Sequence, residues 1–138
     1  MNAVMSGSFR RFYGDICMVL STLEAQGIEV LSPPRSRIVN PGAEFVLFEA
    51  DGPAANVAQV ERGHLAKIAR ADFLYLYNPG GYVGDDTRFE LGFAVAHGVP
   101  IIALAYTGNA VLDSFIDHVC RPEEVTFYLQ REMAEVSL

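Results

Sequence analysis

The chain has 138 residues, 51% of them hydrophobic and 20% charged, which suits one globular domain with one core (residues 1–138) and excludes a disordered chain. A net charge of −7 excludes the basic groove that polymeric nucleic acid normally requires, so any bound phosphate must be held locally, by a few arginines and backbone N–H groups. The acidity itself serves solubility.

No apolar run approaches the roughly 20 residues of a membrane span, and the opening MNAVMSGSFRRF lacks the apolar centre of a signal peptide. No membrane association and a cytoplasmic location are therefore expected. The two cysteines, Cys17 and Cys120, show no metal spacing, and a lone disulfide does not suit a reducing compartment. Cys17 is expected in the core, on the apolar stripe of the first helix.

In chain order, Ala3–Ser6 reads as a first strand. Ile16, Val19, Leu20 and Leu23 recur at helical spacing and predict a helix over about 11–26, closed by Gly27. Ile28–Leu31 reads as a second strand, ended by Ser32-Pro33-Pro34. Residues 33–56 read as a surface excursion, with Phe45–Phe48 a possible short strand; long excursions in compact domains often carry function. A second helix is expected from about Ala54 to Arg70, with His64 on its inner side. Asp72–Tyr77 is a solid apolar and aromatic run before Asn78-Pro79-Gly80-Gly81, the pattern of a buried central strand with a turn at its end. A helix over Thr87–His97, a strand at Ile101–Ala105, a short helix within Asn109–Asp117 and a last helix opened by Pro122 and running to about Glu135 complete the pattern.

This alternation predicts an α/β domain of flavodoxin-like type. It has about five mostly parallel strands in the order 2-1-3-4-5, right-handed crossovers and helices on both faces. Ligands of such folds sit beyond the carboxyl ends of the strands. Two loops leave strand ends there: Ser6–Arg11 and Asn78–Asp86.

Glu90 is the one charged residue from Phe89 to Ala96, and it admits two readings. Thr87-Arg-Phe-Glu90 fits a capping box, in which Thr87 caps the helix and Glu90 bonds back to it. Alternatively, Glu90 stands just after a glycine-rich loop, is walled by Phe89 and Phe93, and is poised to attack an anomeric carbon. In the first loop Gly7 permits close backbone approach, Ser8 offers a hydroxyl, and Arg10 or Arg11 offers a fork for an anion; an ordinary Ser-rich turn is the alternative. Neither a P-loop nor a dinucleotide fingerprint is present. No metal constellation and no Ser-His-Asp arrangement appears, and no cofactor is called for.

Three segments carry a family likeness. Gly7-Ser8-Phe9-Arg10, then His64-Leu-x-x-Ile-x-x-Ala-Asp72, then Gly84-x-x-Thr87-x-x-Glu90-Leu-Gly92-x-Ala94-x-x-x-Gly98-x-Pro100 resemble the nucleoside 2-deoxyribosyltransferase family, including its nucleoside 5′-monophosphate N-glycosidase branch. The resemblance spans about residues 3–105. It implies a flavodoxin-like fold, a nucleoside or nucleotide substrate, and N-glycosidic cleavage or transfer with Glu90 as nucleophile. It also implies a 5′-phosphate held by Ser8 and Arg10, and a homodimer or larger assembly whose partner side chains complete the pocket. The family usually carries an Asp where His64 stands, and transferases often carry one where Gly84 stands. His64 is the candidate acid/base. Its presence there also suits a nucleotide-binding sensor or interaction module that lacks the chemistry.

Among further candidates, Tyr13 could face the sugar or Glu90, and Tyr82 could stack on a base. Asn78, Gly81, Gly84, Asp86 and Thr87 complete the expected substrate contacts. Asp72 reads as a structural partner at the strand entrance, and His97 as structural at a helix end.

Overall fold

The computed structural model describes residues 1–136. Strand β1 (Asn2–Gly7) is followed by α1 (Phe9–Glu24) and β2 (Glu29–Ser32). After the excursion come α2 (Val57–Ala69), β3 (Phe73–Tyr77) and α3 (Asp85–Ala96). Then follow β4 (Ile101–Ala103), α4 (Ala110–Ser114), β5 (His118–Val119) and α5 (Val125–Val136). The five strands form one sheet in the order β2-β1-β3-β4-β5, and every neighbouring pair is parallel.

Strand alternation sorts the core. Ala3, Met5, Phe73 and Tyr75 face α1 and α5. Val4, Leu74, Leu76, Ile101 and Ala103 face the opposite side, against Ile68 of α2, Leu91 and Ala94 of α3, and Leu112 of α4. A strand buried on both faces must be apolar throughout, which is why β3 reads FLYLY. Each fully buried side chain of Leu, Ile or Phe size contributes about 1.5–3 kcal/mol of transfer free energy.

The fifth strand is His118–Val119, beside Ile102 and Ala103, and not residues 45–48. Asp117 starts it by accepting from the Ile101 N–H at 2.8 Å. In the excursion, Phe48 forms only one isolated bridge, to Ile38. The Asn40 side chain donates to the Phe45 carbonyl and accepts from the Leu47 N–H, so a side-chain-closed turn takes the place of a ladder.

Helix ends moved for local reasons. Helix α2 starts at Val57 because the Asn56 side chain caps it, accepting from the Gln59 N–H at 2.9 Å. On α1 the buried stripe is Ile16, Val19, Leu20 and Leu23. Cys17 is exposed, contrary to expectation, because it shares the helix side of Tyr13, Ser21 and Glu24, all exposed. Asp72 and Asn2 exchange backbone and side-chain hydrogen bonds at the strand entrances. His97 caps the end of α3 and stacks on Phe93.

The carboxyl ends of β3 and β4 are tied by Asn78, which is fully buried. Its amide donates to the Ala105 carbonyl at 2.8 Å and accepts from the Ala105 N–H at 3.0 Å. Asn78→Ala leaves both backbone groups without these partners and should destabilise the fold by about 1–3 kcal/mol. Urea unfolding reads this as a lower midpoint; an unchanged midpoint would contradict the assignment.

Candidate active site

Side-chain parity on β1 sets up the site. Ser6 follows Val4 on the face that α2 and α3 cover, so its hydroxyl points between those helices. It donates to Glu90 Oε1 at 2.8 Å. His64 of α2 comes from the other side, with Nε2 at 3.2 Å from both Glu90 Oε1 and Ser6 Oγ. Behind it, His64 Nδ1 lies 2.6 Å from the Ser32 hydroxyl at the end of β2. Ser6, Ser32, His64 and Glu90 are all buried.

These contacts fix the tautomer by elimination. Ser6 has one hydroxyl proton, and Glu90 takes it. His64 Nε2 therefore faces two acceptors and carries a proton in either charge state. In the neutral ring, Nδ1 accepts from Ser32. A chain of hydrogen bonds thus runs from Ser32 through His64 to Glu90.

Glu90 is not a helix cap. Helix α3 is capped at Gly84, with Asp85 and Asp86 in its first turn. Those two carboxylates occupy the favourable end of the helix dipole. Thr87 is therefore a buried helical residue, and Glu90 falls in the second turn, facing inward. Burial pushes the Glu90 carboxyl up. The hydrogen bond and charge of His64, with neighbouring Glu61 and the Ser6 hydrogen bond, outweigh this and hold it below the usual range.

Glu90 and His64 line a cavity of about 630 Å³, within the range of small-molecule sites. Gly7, Ser8, Arg10 and Asp86 line it as well, while Phe45, Phe48 and other residues of the 33–56 excursion form the facing wall. The aromatic walls are Phe9, Phe45 and Phe48, not Phe89 and Phe93. Phe89 is exposed, and Phe93 stacks on His97. Phe9 also meets the His64 ring edge-on at 6.5 Å.

Other expected contacts stand outside this cavity. Tyr13 is exposed. Tyr82 lies under the Arg11 guanidinium, 4.0 Å from its ring centre. Asn78 is consumed by Ala105. Gly81 packs against the next loop; a Cβ there would come within 2.6 Å of the Tyr106 carbonyl oxygen. Gly84 and Thr87 start α3 without lining the cavity.

Three residues escaped the sequence reading. Ser6 read as the last residue of the first strand and Ser32 as the residue that ends the second, neither with a role at the site. Glu61 stands one helical turn before His64, and its carboxyl lines the same cavity. Its Oε1 is buried without a hydrogen-bond partner among the described residues. Burial, then neighbouring Glu90, then the charge of Asp86, push the Glu61 carboxyl up to about 9. The neighbouring carboxylates Glu61 and Glu90 thus share one proton, held on Glu61. The Asp86 carboxyl is also raised, by burial first and then by Glu90, Glu44 and Asp85.

Solved structures share this fold, among them the following two. A CMP N-glycosidase from Clostridium botulinum superimposes with a TM-score of 0.58 at 16% identity, over 97% of this chain and 99% of that one. A conserved protein from Enterococcus faecalis V583 gives a TM-score of 0.65 at 12% identity, over 96% and 98% of the two chains. At such identities the likeness is one of fold. No protein-family model and no curated protein sequence matches the chain. Among the described residues, no helix is long and apolar enough to cross a membrane, and no group of side chains is arranged to hold a metal ion.

The shared proton gives a stability signature. Unfolded, Glu61 loses its proton near the ordinary 4.5; folded, it does so only near 9. Between these values the folded state binds one more proton, so stability falls as pH rises through the window and levels off above it. Glu90 acts oppositely at the acid end, where stability is lost as pH falls through its lowered value. Glu61→Gln should raise the melting temperature at pH 7–8 and flatten the decline between pH 5 and 9. Parallel pH profiles for variant and wild type would rule out the shared proton.

Proposed function

We propose that the chain cleaves or transfers at the N-glycosidic bond of a nucleoside or nucleoside 5′-monophosphate, through a covalent glycosyl-enzyme on Glu90. The observation that carries this reading is an ionised, buried Glu90 carboxylate, oriented by Ser6 and His64 at the wall of a nucleotide-sized cavity. The fold shared with a CMP N-glycosidase supports it.

The chemistry follows from the charges. Both oriented contacts fall on Glu90 Oε1, which leaves Oε2 to attack the anomeric carbon. The transition state is oxocarbenium-like, and its positive charge is stabilised by Glu90 and the adjacent Asp86. His64 holds the Glu90 charge through its Nε2 proton. Water, or a second base, then takes the sugar from Glu90.

The phosphate is assigned to the start of α1. Ser8 is the N-cap residue, yet its hydroxyl makes no cap bond. Among the described residues no carboxylate pairs with Arg10. Both donors line the cavity and are open to an anion beside the helix N–H groups. Tyr13, Tyr82 and the glycine-rich loop take no part in this version of the site. The homodimer or larger assembly implied by the family belongs to the same proposal, and the exposed Phe89 of α3 fits it.

A nucleotide-binding module without chemistry is the competing reading, favoured by His64 standing where the family carries Asp. Incubation with a panel of nucleosides and 5′-monophosphates, followed by chromatography for free base, separates the two. Base release should fall below about 1% of wild type in Glu90→Ala, since the covalent route is then lost. Undiminished release by that variant would sink the nucleophile assignment; thermal stabilisation by nucleotide with no release from wild type would select the binding module. Arg10→Ala should raise KM for the monophosphate about 10–100-fold, with little change for the nucleoside, as expected for one charged hydrogen bond. Equal effects on both substrates would remove the phosphate from Arg10.

A further inference from the structure

We propose that Glu61 is the general acid of this reaction, delivering its carboxyl proton to the departing base. The role rests on the glycosidase reading above and refines it.

The geometry separates Glu61 from His64. The Nε2 proton of His64 is committed to Glu90 and Ser6, and its Nδ1 to Ser32. A proton bound that way holds a carboxylate; it does not face a leaving group. Glu61 lies one turn earlier on the same side of α2 and lines the cavity together with Glu90. Its Oε1 is shut off from solvent and has no partner among the described residues. A buried polar atom without a partner is a rare feature with a reason behind it. Here the missing partner is the nitrogen or conjugated oxygen of a bound base.

The steps balance. The C1′–N bond breaks and its electron pair goes to the base, which takes the proton from Glu61, while a Glu90 oxygen bonds to C1′. Glu61 is then an anion beside a neutral ester. Water attacks C1′, its proton goes to Glu61, and the C1′–O bond to Glu90 breaks with the electrons returning to the carboxylate. The pair ends as it began, with one proton and one negative charge. A second base can replace water, giving its N–H proton to Glu61.

Glu90 and Asp86 of α3 raise the proton affinity of Glu61. The other charged or titratable groups that line the cavity are Glu44 and Asp51 from the excursion, Arg10 from α1, and His64 and Lys67 from its own helix. Burial first, then Glu90 and Asp86, keep the proton on Glu61 at neutral pH, while Glu90 stays ionised for attack.

The test compares leaving groups. Wild type and Glu61→Gln are assayed on the best nucleoside or nucleotide of the panel and on the 4-nitrophenyl glycoside of the same sugar, whose leaving group departs without a proton. Base release should drop about a hundredfold or more in the variant, while the first-turnover burst of nitrophenol stays within about threefold and only its later turnovers slow, because hydrolysis of the glycosyl-enzyme also passes a proton to Glu61. Glu61→Asp, which keeps a proton, should recover part of the base release. The wild-type rate should fall as pH rises toward 9, and the residual rate of Glu61→Gln should lack that limb. Equal losses on both substrates, or no loss on either, would overturn the role of Glu61 and leave the glycosidase reading standing. If wild type releases neither base nor nitrophenol, both readings fall together.

Discussion

A carboxylate that is only 7% exposed must either be compensated by hydrogen bonds or give up its charge, because stripping water from an ion costs several kcal/mol. Glu90 is compensated from two directions at once. Ser6 reaches it from the end of β1 and His64 from α2. Each donor comes from a different place in the sequence, so the contact closes only when strand and helices have docked. The line continues to Ser32 at the end of β2, which ties the sheet edge into the same network. The sheet supplies a scaffold whose parity rule puts Ser6 on the face where α2 and α3 meet. Everything proposed about the site depends on that parity.

The network also divides labour between two carboxylates of similar intrinsic acidity. Glu90 has the donors; Glu61 has an acidic neighbour and little solvent. Environment alone drives their proton affinities apart, the arrangement that lets one protein group act as acid while another acts as base or nucleophile. His64 on α2 fits this division. It supplies a donor to the charged member and leaves the proton-carrying role to a residue one turn away.

Much of the fold was legible because strand and helix periods are physical signatures. β3 announces itself by an unbroken apolar run, and α1 by residues 16, 19, 20 and 23. His118–Val119 is only two residues long and is held by Asp117 and its neighbours, so no window could reveal it. At the site, Gly7, Ser8, Arg10, His64, Asp86 and Glu90 were all named from sequence and all line the cavity. The capping box at Thr87 misled because two acidic residues start the helix earlier. Ser6 and Ser32 were hidden because a small hydroxyl residue at a strand end looks like any turn residue. Glu61 was hidden because it stands in a charged surface stretch, Glu61-Arg62, and periodicity weights apolar positions. Its spacing from His64, three residues on one helix face, was the available signal.

The cavity has one wall that cannot yield and one that can. A Cβ at Gly7 would sit 2.5 Å from the Tyr77 carbonyl oxygen, so the backbones of β1 and β3 are in contact where the first loop leaves the sheet. That side is fixed by the main chain itself. The opposite wall, residues 33–56, is closed largely by its own bonds: Asn40 to Phe45 and Leu47, Asp51 to the Phe48 N–H, and Ser36 to the Ala50 N–H. Val46 and Phe48 anchor this wall in the core and Arg35 ties it to α1, but the stretch between these anchors is an exchangeable cassette. Lengthening it or recasting its aromatic residues would reshape what the cavity admits while the strand, the helices and the shared proton stay as they are.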